Sequence, residues 1–334
     1  MYVVHKILLY KDKETNMRTV LAVLVVLVVM TFSIQLTPNS PRPGATRINT
    51  NSLPVLIPDP VWSPLRETLD DSLQIELRDK LSENPLWKRL IDSRKMAVGV
   101  VQLRDPLHPH FASVNGDEMM YAASLPKIAV LLAANEAIEE GDLPATPELE
   151  DDMANMMRFS SNSAASHLID LVGLKKIADV LRSPKYKLYD PNAGGGIWVG
   201  RRYAKKSERN PDPIKNLSHA ATVTQVCRFY YLLATGRLVS PARSREMLEM
   251  MSDPGIHHKF VSTLDTLAPN AEVYRKSGTW RNWHSDSALV WEPDSKRRYI
   301  LVGLIEHPQG GTILKELVPV VEAVLQTNSP KAPR

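Results

Sequence analysis

The chain has 334 residues, 43% apolar and 23% charged, too apolar for a disordered protein and long enough for one large folded body with appendages. Aromatics make up 6%, against 12 Met and 25 Pro, which speaks against a β-sandwich or propeller and for helices joined by structured loops. A net charge of +4 from 41 basic and 37 acidic residues gives no electrostatic case for a nucleic-acid partner. In chain order, residues 1–18 read as a cytoplasmic tail, with Lys6, Lys11, Lys13 and Arg18 ahead of an apolar stretch from Val20 to Leu36. That stretch, taken as 19–36, is a membrane anchor or signal segment; no A-x-A-like cleavage site follows it, which favours an anchor. The basic residues before it put the bulk of the chain outside the cytoplasm, on the periplasmic side of the inner membrane. Residues 37–64 are rich in proline and read as an extended linker. Leu65, Leu69, Leu73, Leu77 and Leu81 then predict an amphipathic helix, the first of the N-terminal helices over 65–93.

Residues 94–327 carry the patterns of a folded domain. Ala97 to Leu103 predicts a strand, with a hairpin partner around His110 to Asn115. Ile128 to Glu140 has few polar interruptions and predicts a helix through the centre of the protein. Further helices are predicted over 148–157, 163–171, 222–234 and 243–251. The second last of these holds the lone Cys227, which rules out an intramolecular disulfide and reads as a small buried apolar group. Strands return at 272–279, 287–291 and 298–305, closed by a helix over 313–325. Strands, a block of helices, then strands and a helix imply an α+β fold: one antiparallel sheet built from both ends of the chain, with flanking helices and an all-α subdomain.

Three short motifs stand in order: Ser124-Leu125-Pro126-Lys127, Ser160-Ser161-Asn162 and Lys276-Ser277-Gly278. An S-x-x-K match alone arises by chance about once in a chain of this composition, so the argument rests on order and placement. Ser124 falls at the start of the central helix with Lys127 one turn on, on the same face. A lysine among Ile128, Ala129, Val130 and Leu131 has its charged form desolvated, so the neutral amine can take the serine proton. Ser160, read as opening a helix, offers a hydroxyl to pass a proton to a leaving nitrogen, and Asn162 an amide to orient substrate. Gly278 allows a substrate backbone close, and the N–H of Thr279 can join that of Ser124 as an oxyanion donor.

These motifs resemble those of the penicillin-recognising serine hydrolases, the class A β-lactamases and low-molecular-weight penicillin-binding proteins, over about Arg94 to Gln326. Ser163-Ala164-Ala165-Ser166 is similar to the family's T-A-A-N context. The resemblance implies a β-lactamase/transpeptidase-like fold and a serine hydrolase without a metal or other cofactor. By it Ser124 is the acylated nucleophile, Lys127 the base, Ser160 the proton shuttle, Asn162 a substrate ligand, and Lys276 with Ser277 the anchor for a substrate carboxylate. There are departures. Ser161 stands where the family has Asp, Ser124 and Ser160 are closer than is usual in class A enzymes, and no E-x-x-L-N sequence supplies a deacylating Glu. Asp190 and Glu208 are the nearest acidic substitutes.

Other candidates read as structure. His108-Pro109-His110 lacks a third metal ligand at a recognisable spacing, and His257 with His258 reads as a helix opening or cap. Arg201, Arg202, Lys205, Lys206 and Arg209 read as a solvated loop, with an anionic polymer or lipid surface as the alternative. Trp280, Trp283 and His284 are either a cleft wall or an edge-packing pair. The expected partners are a small-molecule or peptidoglycan-stem substrate and, through the N-terminus, the membrane. The rival to an enzyme is a catalytically silent cell-wall-binding protein of the same fold.

Overall fold

The computed structural model of the chain describes residues 53–205, 207–293 and 297–327. The basic tail, the apolar segment at 19–36 and the first part of the proline-rich stretch lie outside the described residues. The remainder of that stretch is not the free spacer expected. Leu53, Val55 and Ile57 are buried, the Val55 N–H donates to the Ala234 carbonyl at 3.3 Å, and Trp62 stacks on Tyr231 with 6.1 Å between centroids. Proline forbids helix and central strand but not an extended strap, and alternate apolar side chains are enough to hold one on a core.

The leucine repeat does not form one helix. Leu65–Thr68 makes a 3₁₀ turn, and α1 (Asp71–Ser82) begins only after Asp70, whose side chain accepts from the Leu73 N–H. Leu69 is left 52% exposed, because a strong N-cap decides where the helix begins regardless of leucine spacing. Helix α2 (Pro85–Asp92) follows, capped by Asn84 with Pro85 at its first position. Strands β1 (Met96–Gln102), β2 (His110–Val114) and the short β3 (Met120–Tyr121) come next. Helices α3 (Lys127–Glu139), α4 (Pro147–Arg158), α5 (Asn162–Val172) and α6 (Leu174–Arg182) form the helical block. A loop region holds β4 (Tyr189–Asp190), β5 (Gly195–Gly196), β6 (Trp198–Val199) and β7 (His219–Ala221). After α7 (Val223–Ala234), α8 (Pro241–Met251) and α9 (Phe260–Leu267) the chain ends in β8 (Glu272–Trp280), β9 (Trp283–Trp291), β10 (Arg298–Glu306) and α10 (Gly310–Thr327). Of the helices, α6 was not anticipated, and α9 begins just after the His257–His258 pair read as a helix opening.

The long strands form one antiparallel sheet in the order β2–β1–β10–β9–β8, so β8, which carries the third motif, is an edge strand. The sheet is buried on both faces, which is why its strands read as unbroken apolar runs. Side chains alternate between two cores: Ala97 and Val101 join Ile300, Val302 and Leu289 on one face, while Met96, Val98 and Val100 join Leu301, Ala288 and Val290 on the other. The first core contains α3, which is buried from Lys127 to Ile138 as its composition predicts. The second is covered by α1, α9 and α10. Helix α7 crosses β1 so closely that a Cβ on Gly99 would lie 2.8 Å from Cys227 Sγ. Burial raises the pKa of that thiol, as expected of a packed group.

Candidate active site

Ser124 lies in the tight turn that leads into α3, where the Leu125 N–H donates to the Ala122 carbonyl at 3.1 Å and the Lys127 N–H to the Ser124 carbonyl at 3.3 Å. Ala123 is held at φ +51°, a conformation that costs a non-glycine residue on the order of 1 kcal/mol and persists where the surroundings fix it. Among the described residues the Ser124 N–H makes no backbone hydrogen bond. It faces Gly278 on β8: a Cβ there would stand 2.3 Å from the Ala122 carbonyl oxygen and 2.6 Å from the Ser124 nitrogen. Only glycine lets the edge strand approach the serine turn this closely.

Lys127 is fully buried, and that burial lowers its pKa to about 7. Its Nζ donates to the Ser160 carbonyl at 2.6 Å and to Asn162 Oδ1 at 2.8 Å, with Ser160 Oγ at 3.4 Å. A neutral amine has two N–H groups and one lone pair. Both N–H groups have acceptors here, so the lone pair is free to accept a proton. Ser124 Oγ itself makes no hydrogen bond among the described residues, in keeping with the long contacts common in uncomplexed sites.

Ser160 does not open a helix as expected. It sits between α4 and α5 at φ +57°, and the N-cap is Ser161, whose Oγ accepts from the Ala164 N–H at 3.2 Å. Serine thus serves as the helix cap where the resembling family has Asp. The left-handed turn aims the Ser160 carbonyl at Lys127 and its hydroxyl at the third motif, where Lys276 Nζ donates to Ser160 Oγ at 2.9 Å and to the Ser277 carbonyl at 2.8 Å. Lys276 is also buried; desolvation first, then the nearby Lys127 charge, holds its pKa well below the usual lysine value. The structure therefore brings Ser124, Lys127, Ser160, Asn162, Lys276 and Gly278 together, with Ser277 and Thr279 alternating along the same edge strand.

Sequence reasoning missed the groups behind β8. Lys259, buried and at φ +53°, donates through Nζ to the Gly278 carbonyl (2.6 Å), Thr279 Oγ1 (2.8 Å) and the Ser285 carbonyl (3.0 Å). Burial brings its pKa to about 8. His258 Nε2 lies 3.2 Å from Ser277 Oγ, and burial lowers its pKa to about 4, so it is neutral at pH 7. Arg275 pairs with Asp286 at 2.7 and 2.9 Å. Asp286 also accepts from the Phe260 N–H at 3.1 Å, which ties α9 to the sheet. The His257–His258 pair was read as a helix opening, and the structure places Lys259 as the N-cap of α9.

The other side of Lys127 is aromatic. The Tyr203 ring centroid is 4.5 Å from Nζ, its hydroxyl donates to the Ala123 carbonyl at 3.4 Å, and its ring lies 4.2 Å from that of His219. His219 Nε2 is 3.1 Å from the Arg201 carbonyl, and burial lowers its pKa to about 4. Tyr121 stands edge-on to both His219 and Trp283. Tyr203 was hidden inside the basic run, which otherwise behaves as a solvated loop: Arg202 pairs with Asp170 at 2.9 Å and Arg201 donates to the carbonyls of Ala204 and Lys205.

Among the described residues neither acidic substitute makes a hydrogen bond or ion pair with Ser124, Lys127 or Ser160. Asp190 accepts from the Asn192 N–H and caps a short turn, and Glu208 is exposed. His108 and His110 hydrogen-bond to Asp105 and Asp70. Trp280 and Trp283 face each other across the β8–β9 hairpin, and Trp280 is 55% exposed at the end of the strand that carries Lys276.

The fold is similar to that of a β-lactamase from Sphaerobacter thermophilus at 17% identity, with TM-score 0.55 over 70% of this chain and 93% of that one. A point variant of PBP-A, solved as an acyl-enzyme with penicillin G, aligns at 18% identity and TM-score 0.56 over 80% of this chain and 98% of its own. The TLA-3 extended-spectrum β-lactamase aligns at 13% identity and TM-score 0.58 over 76% and 98%. At these identities the likeness is one of fold. No curated protein sequence matches the chain. The model of the β-lactamase enzyme family matches residues 142–320, more than half of the chain and including the second and third motifs. With the sheet, the helical block and the ordered motifs meeting at one serine, the chain belongs to the β-lactamase enzyme family and is a penicillin-recognising serine hydrolase.

Proposed function

We propose that the chain is an extracytoplasmic enzyme, tethered by residues 19–36, that forms an acyl-enzyme at Ser124 on an amide-like carbonyl, either a β-lactam or a D-Ala-D-Ala peptide. The observation that carries this reading is the network of two desolvated lysines converging on Ser160 Oγ, at 3.4 Å from Lys127 and 2.9 Å from Lys276. Neutral Lys127 takes the Ser124 proton as Oγ attacks, and the oxyanion is held by the N–H groups of Ser124 and Thr279. The proton then passes through Ser160 to the departing nitrogen as the C–N bond breaks. Asn162 orients the acyl side chain. Lys276 holds Ser160 Oγ and, with the hydroxyls of Ser277 and Thr279, meets the substrate carboxylate. Thr279 Oγ1 already accepts from Lys259, which leaves its hydrogen for that carboxylate.

Acylation therefore has a full set of groups. Turnover of a β-lactam also needs a base beside an attacking water, and among the described residues no carboxylate pairs with Lys127. We therefore assign the chain to acylation followed by slow release. A silent cell-wall binder would gain nothing from a lysine held at a pKa near 7. Intact-mass spectrometry after incubation with a penicillin tests the reading: one adduct on Ser124, absent in Ser124→Ala, supports it, and an unmodified wild-type protein overturns it. For the tether, a reporter active only outside the cytoplasm, fused after Pro43, is expected to work, and cytoplasmic activity of the fusion overturns the location.

A further inference from the structure

The Ser124 turn and the edge strand are joined from behind by a buried hydroxyl. Ser285 stands on β9 across from Gly278 and is 1% exposed. Its Oγ donates to the Ala122 carbonyl at 2.8 Å, with the Gly278 carbonyl at 3.4 Å. One side chain thus ties the carbonyl that opens the serine turn, which also accepts from the Leu125 N–H, to a carbonyl of the third motif. Lys259 completes the hold, its Nζ donating to the Gly278 carbonyl at 2.6 Å and to the Ser285 carbonyl at 3.0 Å. A Cβ on Gly278 would lie 2.6 Å from Ser285 Oγ, so the glycine leaves room for this bond as well as for the turn.

Resting on the acyl-enzyme reading above, we infer that Ser285 is a positioning residue for the oxyanion, setting the spacing and direction of the N–H groups of Ser124 and Thr279. The reason lies in the planar peptide. The Gly278 carbonyl and the Thr279 N–H belong to one peptide group and point in opposite directions, so a carbonyl held toward Ser285 and Lys259 turns its N–H away from them. The Ala122 carbonyl closes the turn in which Ser124 is the second central residue, so holding it fixes the Ser124 N–H too. Hydrogen bonds at a carbonyl also polarise the N–H of the same peptide group, which makes Thr279 the stronger donor. An oxyanion needs both donors within about 2.7–3.1 Å of one point, a tolerance that a loose turn exceeds. Ser285 itself touches no reacting atom and moves no proton. It acts through the two backbones that it joins.

The test uses the full chain and two readouts. Acylation is followed by stopped-flow with a chromogenic cephalosporin, and affinity for phenylboronic acid is measured in parallel, because boron accepts Ser124 Oγ and places a hydroxyl oxygen where the oxyanion forms. Ser285→Ala is expected to lower the maximal acylation rate constant roughly ten- to a hundredfold, as a misplaced donor does, and to weaken boronate binding by a similar factor. The half-saturating cephalosporin concentration stays at its wild-type value. Ser285→Cys, of nearly the same shape but a weak donor, is expected to show the same paired loss and carries the test if Ser285→Ala does not fold. A wild-type acylation rate in either folded variant overturns the inference. So does slowed acylation with boronate affinity unchanged, or a loss that falls wholly on the half-saturating concentration. A wild-type protein with no adduct on Ser124 overturns the acyl-enzyme reading itself, and this inference with it.

Discussion

Two walls of different chemistry bury Lys127, and that burial lowers its pKa. On the Ser160 side, polar acceptors hold the amine at 2.6 and 2.8 Å and fix where its lone pair points. On the Tyr203 side, rings exclude water from the same nitrogen, which makes the charged form costly and offers no partner that could carry a proton away. On the proposed reading, the first wall transfers a proton between serine and substrate. The second shields without reacting. On the proposed reading, slow release follows from placing one lysine between them.

The largest expected effects lie at the junction of the walls. Ser124→Ala abolishes the penicillin adduct, and Lys127→Ala slows acylation by about two to four orders of magnitude, the usual worth of a positioned base; acylation of Lys127→Ala at the wild-type rate would place the base elsewhere. Behind the polar wall, Asp286→Ala leaves the fully buried Arg275 guanidinium unpaired and is expected to cost about 3–5 kcal/mol in urea unfolding. A loss under about 1 kcal/mol would mean that α9 does not depend on that pair. The pH profile sharpens the comparison next. Because the neutral amine is the reactive form, the acylation rate constant should fall about tenfold per unit below pH 7 and level off above it, following the lowered pKa of Lys127. A flat profile from pH 5 to 8, read by stopped-flow with a chromogenic cephalosporin, would break it. On the aromatic wall, His219→Phe keeps a ring but loses the contact to the Arg201 carbonyl, at an expected cost of about 1–3 kcal/mol in the same urea assay, with acylation retained. Complete loss of acylation in a folded His219→Phe would show that the second wall reacts after all. The smallest effect is Trp280→Ala, exposed at the strand end and expected to change stability by no more than about 0.5 kcal/mol.

The polar wall was legible in the sequence and the aromatic wall was not, for a physical reason. Ser124, Lys127, Ser160 and Asn162 sit where secondary structure changes and Lys276 lies within the edge strand β8, so their order and spacing carry information before any contact is known. Tyr203 and His219 act through packing between a loop and a short β-pair, and nothing about a tyrosine in a basic run points to a lysine 76 positions earlier. Lys259 and Ser160 depend on left-handed backbone that residue type does not announce. The sheet and the central helix were read with small boundary errors because burial leaves long apolar runs, whereas the leucine repeat misled because only Leu73, Leu77 and Leu81 lie on the buried face of α1.

Cys227 is the chain's only cysteine, and its sulfur is wedged against Gly99 where α7 meets the sheet. A thiol reagent therefore cannot react until helix and sheet separate, and the alkylation rate reads the opening equilibrium of the core directly. The native protein thus carries its own reporter. Labelling it before and after acylation would tell whether a bound acyl group tightens the whole body or only the cleft, with no engineered probe needed.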